Sequence, residues 1–222
     1  MPAISISTEL ASKVPALQLS CIECEVRMTD TDEKLWTRMK GKIDELHSRL
    51  EIGDVSQIPA IASSRKAYKA CGKDPARYRL SAEALLRRVV NRGELYQVNN
   101  VVDCLNLVSI STGFSIGGYD ADKINGDVVF GIGKNDEPYK GIGRGELNIE
   151  FMPVFRDEAG AFGTPTSDSV RTSVSAETKR FLMIIIDYAA SNGLDEATIL
   201  AQELLKEYAG ATNFKLKKVD TK

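Results

Sequence analysis

The sequence predicts an α+β fold. Helical periodicity clusters in the first half of the chain, short glycine-punctuated strands follow in the second, and no alternating strand-helix rhythm runs through it. With 222 residues, 43% hydrophobic and 27% charged, the composition is that of a globular protein. The length fits one large domain or two small ones. The absence of a linker, repeat or low-complexity tract favours a single domain over residues 1–222, with a mixed sheet in its second half.

Leu17 to Met28 alternates as a half-buried strand, with Leu17, Leu19 and Cys21 on one face and Ile22, Cys24 and Val26 on the other. Asp30, Thr31 and Asp32 offer N-caps for a helix whose Leu35, Met39, Ile43, Leu46 and Leu50 recur at three- and four-residue spacing. A second helix starts at Pro59, a favoured first-turn residue, and stops at Gly72. Asp74 and Pro75 make a turn, Ser81 opens a third helix ending before Gly93, and a fourth runs from Asn99 to about Ser111. Strands are expected at Asp127–Ile132 and Glu146–Phe155, with a turn at Arg156 to Gly160. Phe181 to Ile186 is apolar on both faces, as in a central covered strand or a buried helix segment. A last helix spans Leu194 to about Tyr208, and Phe214 to Val219 alternates as an edge strand with lysines facing water.

No apolar run reaches the ~18 residues of a membrane span, and Met1 to Ser5 lacks a basic start followed by an apolar core. A cytoplasmic location with reduced thiols at Cys21, Cys24, Cys71 and Cys104 is expected. The Cys21–Cys24 spacing is that of a zinc or redox pair, but residues three apart on a strand face opposite ways, and the lone His47 completes no metal site. No metal or cofactor is expected. His47 beside the Leu46 stripe reads as a surface histidine, and no serine or cysteine occupies a nucleophile-like turn, which argues against a catalytic triad. Gly131 and Gly133 follow a strand but precede no helix, so they read as turns rather than a dinucleotide fingerprint.

The formal charge of −2 conceals an uneven distribution. Ser64 to Arg92 carries nine basic residues against Asp74 and Glu83, a net +7, so the remainder carries −9. Tyr68, Tyr78 and Tyr96 punctuate this stretch and its edge. Such a zone suits phosphate neutralisation and base stacking, or simply solvates a helical face.

Several motifs, in order, carry a resemblance. These are Ser64-Arg-Lys-Ala-Tyr-Lys-Ala-Cys-Gly-Lys-Asp-Pro-Ala-Arg-Tyr-Arg79, Ser81 to Arg88, Leu95 to Val108, Gly113 to Asp120, Asp122 to Ile124, Gly126-Asp127, and Asp168 to Val174. Over roughly residues 55–190 the chain resembles the stand-alone B3/B4 domain proteins, which are similar to the tRNA-editing domain of the bacterial phenylalanyl-tRNA synthetase beta subunit. The resemblance implies an α+β domain that binds tRNA or an aminoacylated 3′ end. In the synthetase it hydrolyses mis-attached tyrosine with a positioned water and no covalent nucleophile. It also implies that Asn106 reaches the editing pocket, with Asp103 one turn before it, and that Asp120 ends the pocket segment. The editing-site histidine of the synthetase is replaced here by Gly117. A late acidic residue of the synthetase domain corresponds loosely to Asp187.

Two readings follow. In the first, the chain binds tRNA or aminoacyl-tRNA, with no DNA or membrane partner, and hydrolyses mischarged aminoacyl-tRNA in trans. Arg65, Lys69, Lys73, Arg77, Arg79, Arg87 and Arg88 position phosphates. Asn106, Asp120 and Arg171 act at the ester, and Asp103, Gly117, Asp168, Ser169 and Thr172 line the pocket, Arg171 being able to hold a carboxylate or phosphate through its fork. In the second, the same fold binds a small amino-acid-like molecule without catalysis. Ligation is disfavoured by either reading, because the recognised module leaves no room for an ATP-activating domain.

Overall fold

A computed structural model describes residues 1–222. In chain order the elements are β1 (Ile4–Ile6), α1 (Thr8–Lys13), β2 (Gln18–Glu25), α2 (Glu33–Arg49), α3 (Pro59–Cys71), α4 (Ser81–Arg92), α5 (Asn100–Thr112), β3 (Ser115–Asp120), β4 (Val128–Ile132), β5 (Lys140–Gly141), β6 (Gly145–Glu146), β7 (Pro153–Asp157), β8 (Gly160–Gly163), β9 (Arg180–Asp187), α6 (Gly193–Tyr208) and β10 (Thr212–Asp220). The α+β class holds, but the strands form two four-stranded sheets, ordered β10-β2-β9-β3 and β1-β4-β7-β8, and a small β5-β6 ribbon. The first is antiparallel throughout, and the second is mixed through the parallel β1-β4 pair.

The apolar run at 181–186 becomes β9, paired with both β2 and β3. Its residues alternate between two cores, as the pleat requires. Phe181, Met183 and Ile185 pack with α2, α4, α5 and α6, whereas Leu182, Ile184 and Ile186 pack against the second sheet. The result is three layers: helices, the β9 sheet, then the β4 sheet. Cys21 faces the sheet side and Cys24 the helix side, so the pair cannot share a metal; burial pushes both thiols up to about 12.

Local signals set most helix ends. The Asp32 carboxylate accepts from the amides of Lys34 and Leu35, and Asn99 caps α5 through the amide of Val102. Gly72, Gly93 and Gly113 end α3, α4 and α5 in the left-handed conformation. Ser81 is the first residue of α4 rather than its cap. His47 holds the end of α4, its Nδ1 lying 3.2 and 3.0 Å from the carbonyls of Val89 and Val90.

The expected strand at 146–155 is a correction. Strand pairing stops at Glu146 and resumes at Pro153, and between them the buried Lys73 ammonium draws the carbonyls of Asn148 (3.0 Å) and Glu150 (2.7 Å) out of any ladder, while Phe151 has φ 64°. Four short strands went unexpected: β1, β5, β8, and β3, whose Gly117 and Gly118 weaken its apolar pattern. No helix is long and apolar enough to cross a membrane.

Because Ile184 is fully buried at the centre of three layers, Ile184→Ala should cost about 2–5 kcal/mol in chemical denaturation. Leu216→Ala, on the exposed edge strand β10, should stay within about 0.5 kcal/mol.

Candidate functional site

The basic segment folds as α3, a turn and α4, and part of its charge turns inward. Glu83, fully buried in the first turn of α4, takes Arg65 on both oxygens (2.8 and 3.0 Å) and Nε of Arg87 (2.8 Å), with Arg79 at 3.8 Å. One carboxylate thus gathers three guanidiniums and leaves an excess of positive charge. Lys73 corrects the expectation of a phosphate ligand. It is only 7% exposed, donates to the carbonyls of Asn148 and Glu150, and lies 3.9 Å from the Tyr78 ring centroid, so it braces the 148–150 segment instead. Burial lowers its pKa. Arg88 pairs with Glu94 at 3.1 Å and lies over Tyr96. Lys66, Lys69, Arg77, Arg79 and Arg92 remain exposed.

The residues proposed around an ester divide between the two faces of β3. On the helix side, Asp103 is buried in α5, accepts from the Thr31 hydroxyl and the Val98 amide, and has its pKa raised by burial against those bonds. Asn106 lies one turn on, half-buried and within reach of Asp103. Asp120 is no free catalytic acid. Its oxygens accept from the Asp122 amide (3.1 Å) and the Thr178 hydroxyl (2.8 Å), with Lys123 at 3.4 Å, so it caps the turn at 121–123. Asp187 is likewise occupied, accepting from the amides of Ala189 and Ser191.

On the sheet side, the Tyr119 hydroxyl fills the space where side chains at Gly117 and Gly163 would begin, 2.0 and 2.2 Å from the positions of their Cβ atoms. Gly117 is therefore a packing necessity of Tyr119, and a histidine there has no room. Beside this tyrosine stands Asp168, whose Oδ2 accepts the Gly118 amide at 3.3 Å. Oδ1 of Asp168 and the Tyr119 hydroxyl are both buried without a well-formed hydrogen bond, although the hydroxyl is near enough to favour the ionised carboxylate. Burial outweighs that help and pushes the Asp168 pKa from its ordinary 3.8 to about 7. A carboxyl of this kind exchanges protons near neutrality.

Asp168 opens the turn that carries the remaining expected residues. The Ser169 hydroxyl accepts the Arg171 amide at 3.2 Å, and Thr172 is fully buried with its hydroxyl on the Phe162 carbonyl. Arg171 corrects the expectation of a fork open to a ligand: it grips both oxygens of Asp157 at 3.0 and 2.7 Å and touches the carbonyls of Lys123 and Gly160. Ser169 and Arg171 line a cleft of ≈ 750 Å³ with Tyr139, Lys140, Glu146 and Asn148, a wall of mixed charge. Asn106, Asp103, Asp120, Gly117, Asp168 and Thr172 do not line it, and Asp168 stands behind its wall, next to Ser169.

Sequence reasoning missed Tyr119, Glu83 and Asp157, the groups that fix or neutralise what it chose. A signal for Tyr119 was present, because a bulky residue two positions after a strand glycine shares its face. Glu83, the single acid amid the arginines of α4, was counted only as charge.

Gly117→Ala should destabilise by about 1–3 kcal/mol or more, since the new Cβ meets a buried ring held by Phe155 and Phe162. Asp168 binds its proton more tightly folded than unfolded, so its contribution is present below about pH 4 and is lost as pH rises to about 7, at up to about 1.4 kcal/mol per pH unit. Denaturation midpoints across that window should fall for the wild type, and Asp168→Asn should remove this component of the slope.

No match is found among curated proteins. Among solved structures, the chain is similar to an N-terminal fragment of the phenylalanyl-tRNA synthetase beta subunit from Pyrococcus horikoshii, at 14% identity and a TM-score of 0.48, over 98% of this chain and 50% of that one. The chain thus spans about half the length of that relative. The family model described as the B3/4 domain matches residues 63–210, beginning within α3 and ending just after α6, where the motif series had suggested roughly 55–190. By that match, which takes in most of the chain, this protein belongs to the B3/4 domain family.

Proposed function

We propose that this protein binds tRNA and hydrolyses mis-attached amino acids from its 3′ end in trans. The observation that carries the reading is that the cationic helices and the Asp168 turn are tied together. The Ser81 amide of α4 donates to the Pro165 carbonyl at 2.7 Å, and the Tyr68 hydroxyl of α3 lies 2.9 Å from Thr166 Oγ1. Phosphates held by Lys66, Lys69, Arg77, Arg79 and Arg92 are thereby referred to the segment that bears a carboxyl titrating near pH 7. In the reaction, water attacks the ester carbonyl carbon and passes a proton to Asp168, whose carboxyl sits behind the cleft wall that its neighbour Ser169 forms. The bond from that carbon to the ribose oxygen breaks, and the ribose hydroxyl leaves with a proton returned by the same carboxyl. Asn106 stays a candidate for orienting the acceptor end, while Asp120 and Arg171 serve by holding the walls.

The test is a panel of mischarged tRNAs. Release should rise with pH through about 7 for the wild type and lose that rise in Asp168→Asn. Binding should weaken by roughly 500-fold between 50 and 200 mM salt if all five exposed cations neutralise phosphates. Release rates equal to buffer for every tRNA would remove the catalytic role. The mixed-charge cleft of Lys140, Glu146 and Asn148 favours a second reading, a zwitterionic amino acid as ligand. Calorimetric binding of free amino acids, with no tRNA binding at low salt, would establish it in place of the first.

A further inference from the structure

A second groove lies along α4, away from the cleft. It measures ≈ 360 Å³ and is lined by Arg79, Arg87, Arg88, Asn91, Arg92 and Tyr96, with no acidic residue in its wall. Residues 84, 87, 88, 91 and 92 recur at helical spacing, so one face of α4 forms the floor. Past the Gly93 cap the chain turns back and sets Tyr96 against that face, 59% exposed, with the Arg88 guanidinium 5.1 Å from its ring centroid.

The buried Glu83 orients this groove from beneath. It takes the Nε of Arg87, and the terminal nitrogens of Arg87 make no hydrogen bond within the chain. Arg79 stands 3.8 Å from Glu83 and is 45% exposed, so its fork is largely free. Arg88 gives one terminal nitrogen to Glu94 at the rim of the groove (3.1 Å), while its Nε is a shielded donor without any acceptor in the fold. A buried donor left unpaired costs free energy, so this side chain is not at its hydrogen-bonding optimum in the free protein. The lining therefore presents several guanidinium donors and one exposed aromatic face in a space the size of a nucleotide.

We infer that this groove clamps one nucleotide of single-stranded RNA, its phosphate held by Arg79, Arg87, Arg88 and Arg92 and its base stacked on Tyr96. A duplex offers phosphates but no open base face, so the tyrosine selects an unpaired segment. This inference deepens the tRNA-binding reading and rests on it for the identity of the RNA, but not for the chemistry of the groove.

The experiment titrates the full chain with three labelled probes: a mixed-sequence single-stranded RNA oligonucleotide, a blunt-ended RNA duplex annealed from two complementary strands, and a tRNA. Tyr96→Ala should weaken the single strand by roughly 5- to 150-fold, the range of one base–aromatic stack, while leaving the duplex unchanged. Tyr96→Phe should retain wild-type binding. Arg92→Ala should lower the salt slope for the single strand by roughly 0.7, one phosphate contact. Tyr96 is exposed, so its variants should keep the wild-type melting temperature. Equal affinity of Tyr96→Ala and the wild type for the single strand overturns the inference, as does a wild type that prefers the duplex. If the single strand binds through Tyr96 but tRNA does not, the groove stands and the tRNA reading falls. If tRNA binds with no effect of Tyr96 or Arg92, the reverse holds.

Discussion

Strand β9 is the constraint on which the architecture depends. Six consecutive apolar residues, Phe181 to Ile186, alternate above and below one backbone, so covering one face leaves the other exposed. The chain answers with helices on one side and a second sheet on the other, and the two cores meet across this sheet, with α3 reaching into both. Everything functional is placed relative to it. β3 lies at the sheet's edge beside β9, and the Gly118 amide on its free side reaches Asp168. The two faces of β3 then separate Asn106 and Asp120 from Tyr119, so residues adjacent in the motif series do not converge on one point.

The buried Glu83 is the second organising interaction, and its economy is electrostatic. An ionised carboxylate removed from water is costly unless paired and hydrogen-bonded. Arg65 and Arg87 supply those bonds from two helices, which fixes α3 against α4. Because one negative charge is shared among three guanidiniums, the arrangement removes little of the segment's positive field. It converts mobile surface arginines into oriented ones. Donors held in place in this way lose less conformational entropy on meeting any anion than free surface arginines would.

Much of the fold was legible because its signals are local. Caps at Asp32 and Asn99, glycines at 72, 93 and 113, and the stripe from Leu35 to Leu46 set helix limits with no reference to the rest of the chain. β1 and β8 were not, because three- and four-residue strands depend on a distant partner and carry too short a pattern to show period two. The break at 147–152 escaped for a similar reason: its cause is Lys73, some 75 positions away, taking carbonyls that a strand would have used. In the candidate site, residue types were legible and their commitments were not. Arg171, Asp120 and Lys73 carry suitable groups, yet each is already bonded to a partner that no spacing rule announces.

Gly117, the position where the resemblance to the synthetase editing domain implies a histidine has been replaced, takes on a different meaning once Tyr119 is in place. A glycine at a pocket position suggests a lost group, but here the space is filled by a hydroxyl from two residues along the same strand, and Gly163 opposite is shaped to the same oxygen. Three positions are thus one steric unit. The unit brings a polar atom to the sheet-side face of β3, next to the one carboxyl whose burial raises it to about 7. The polar centre of this face consequently rests on a tyrosine and an aspartate from separate segments, held by the edge of the sheet. The raised pKa of Asp168 has its cause in desolvation, which disfavours the ionised carboxylate in this packed setting.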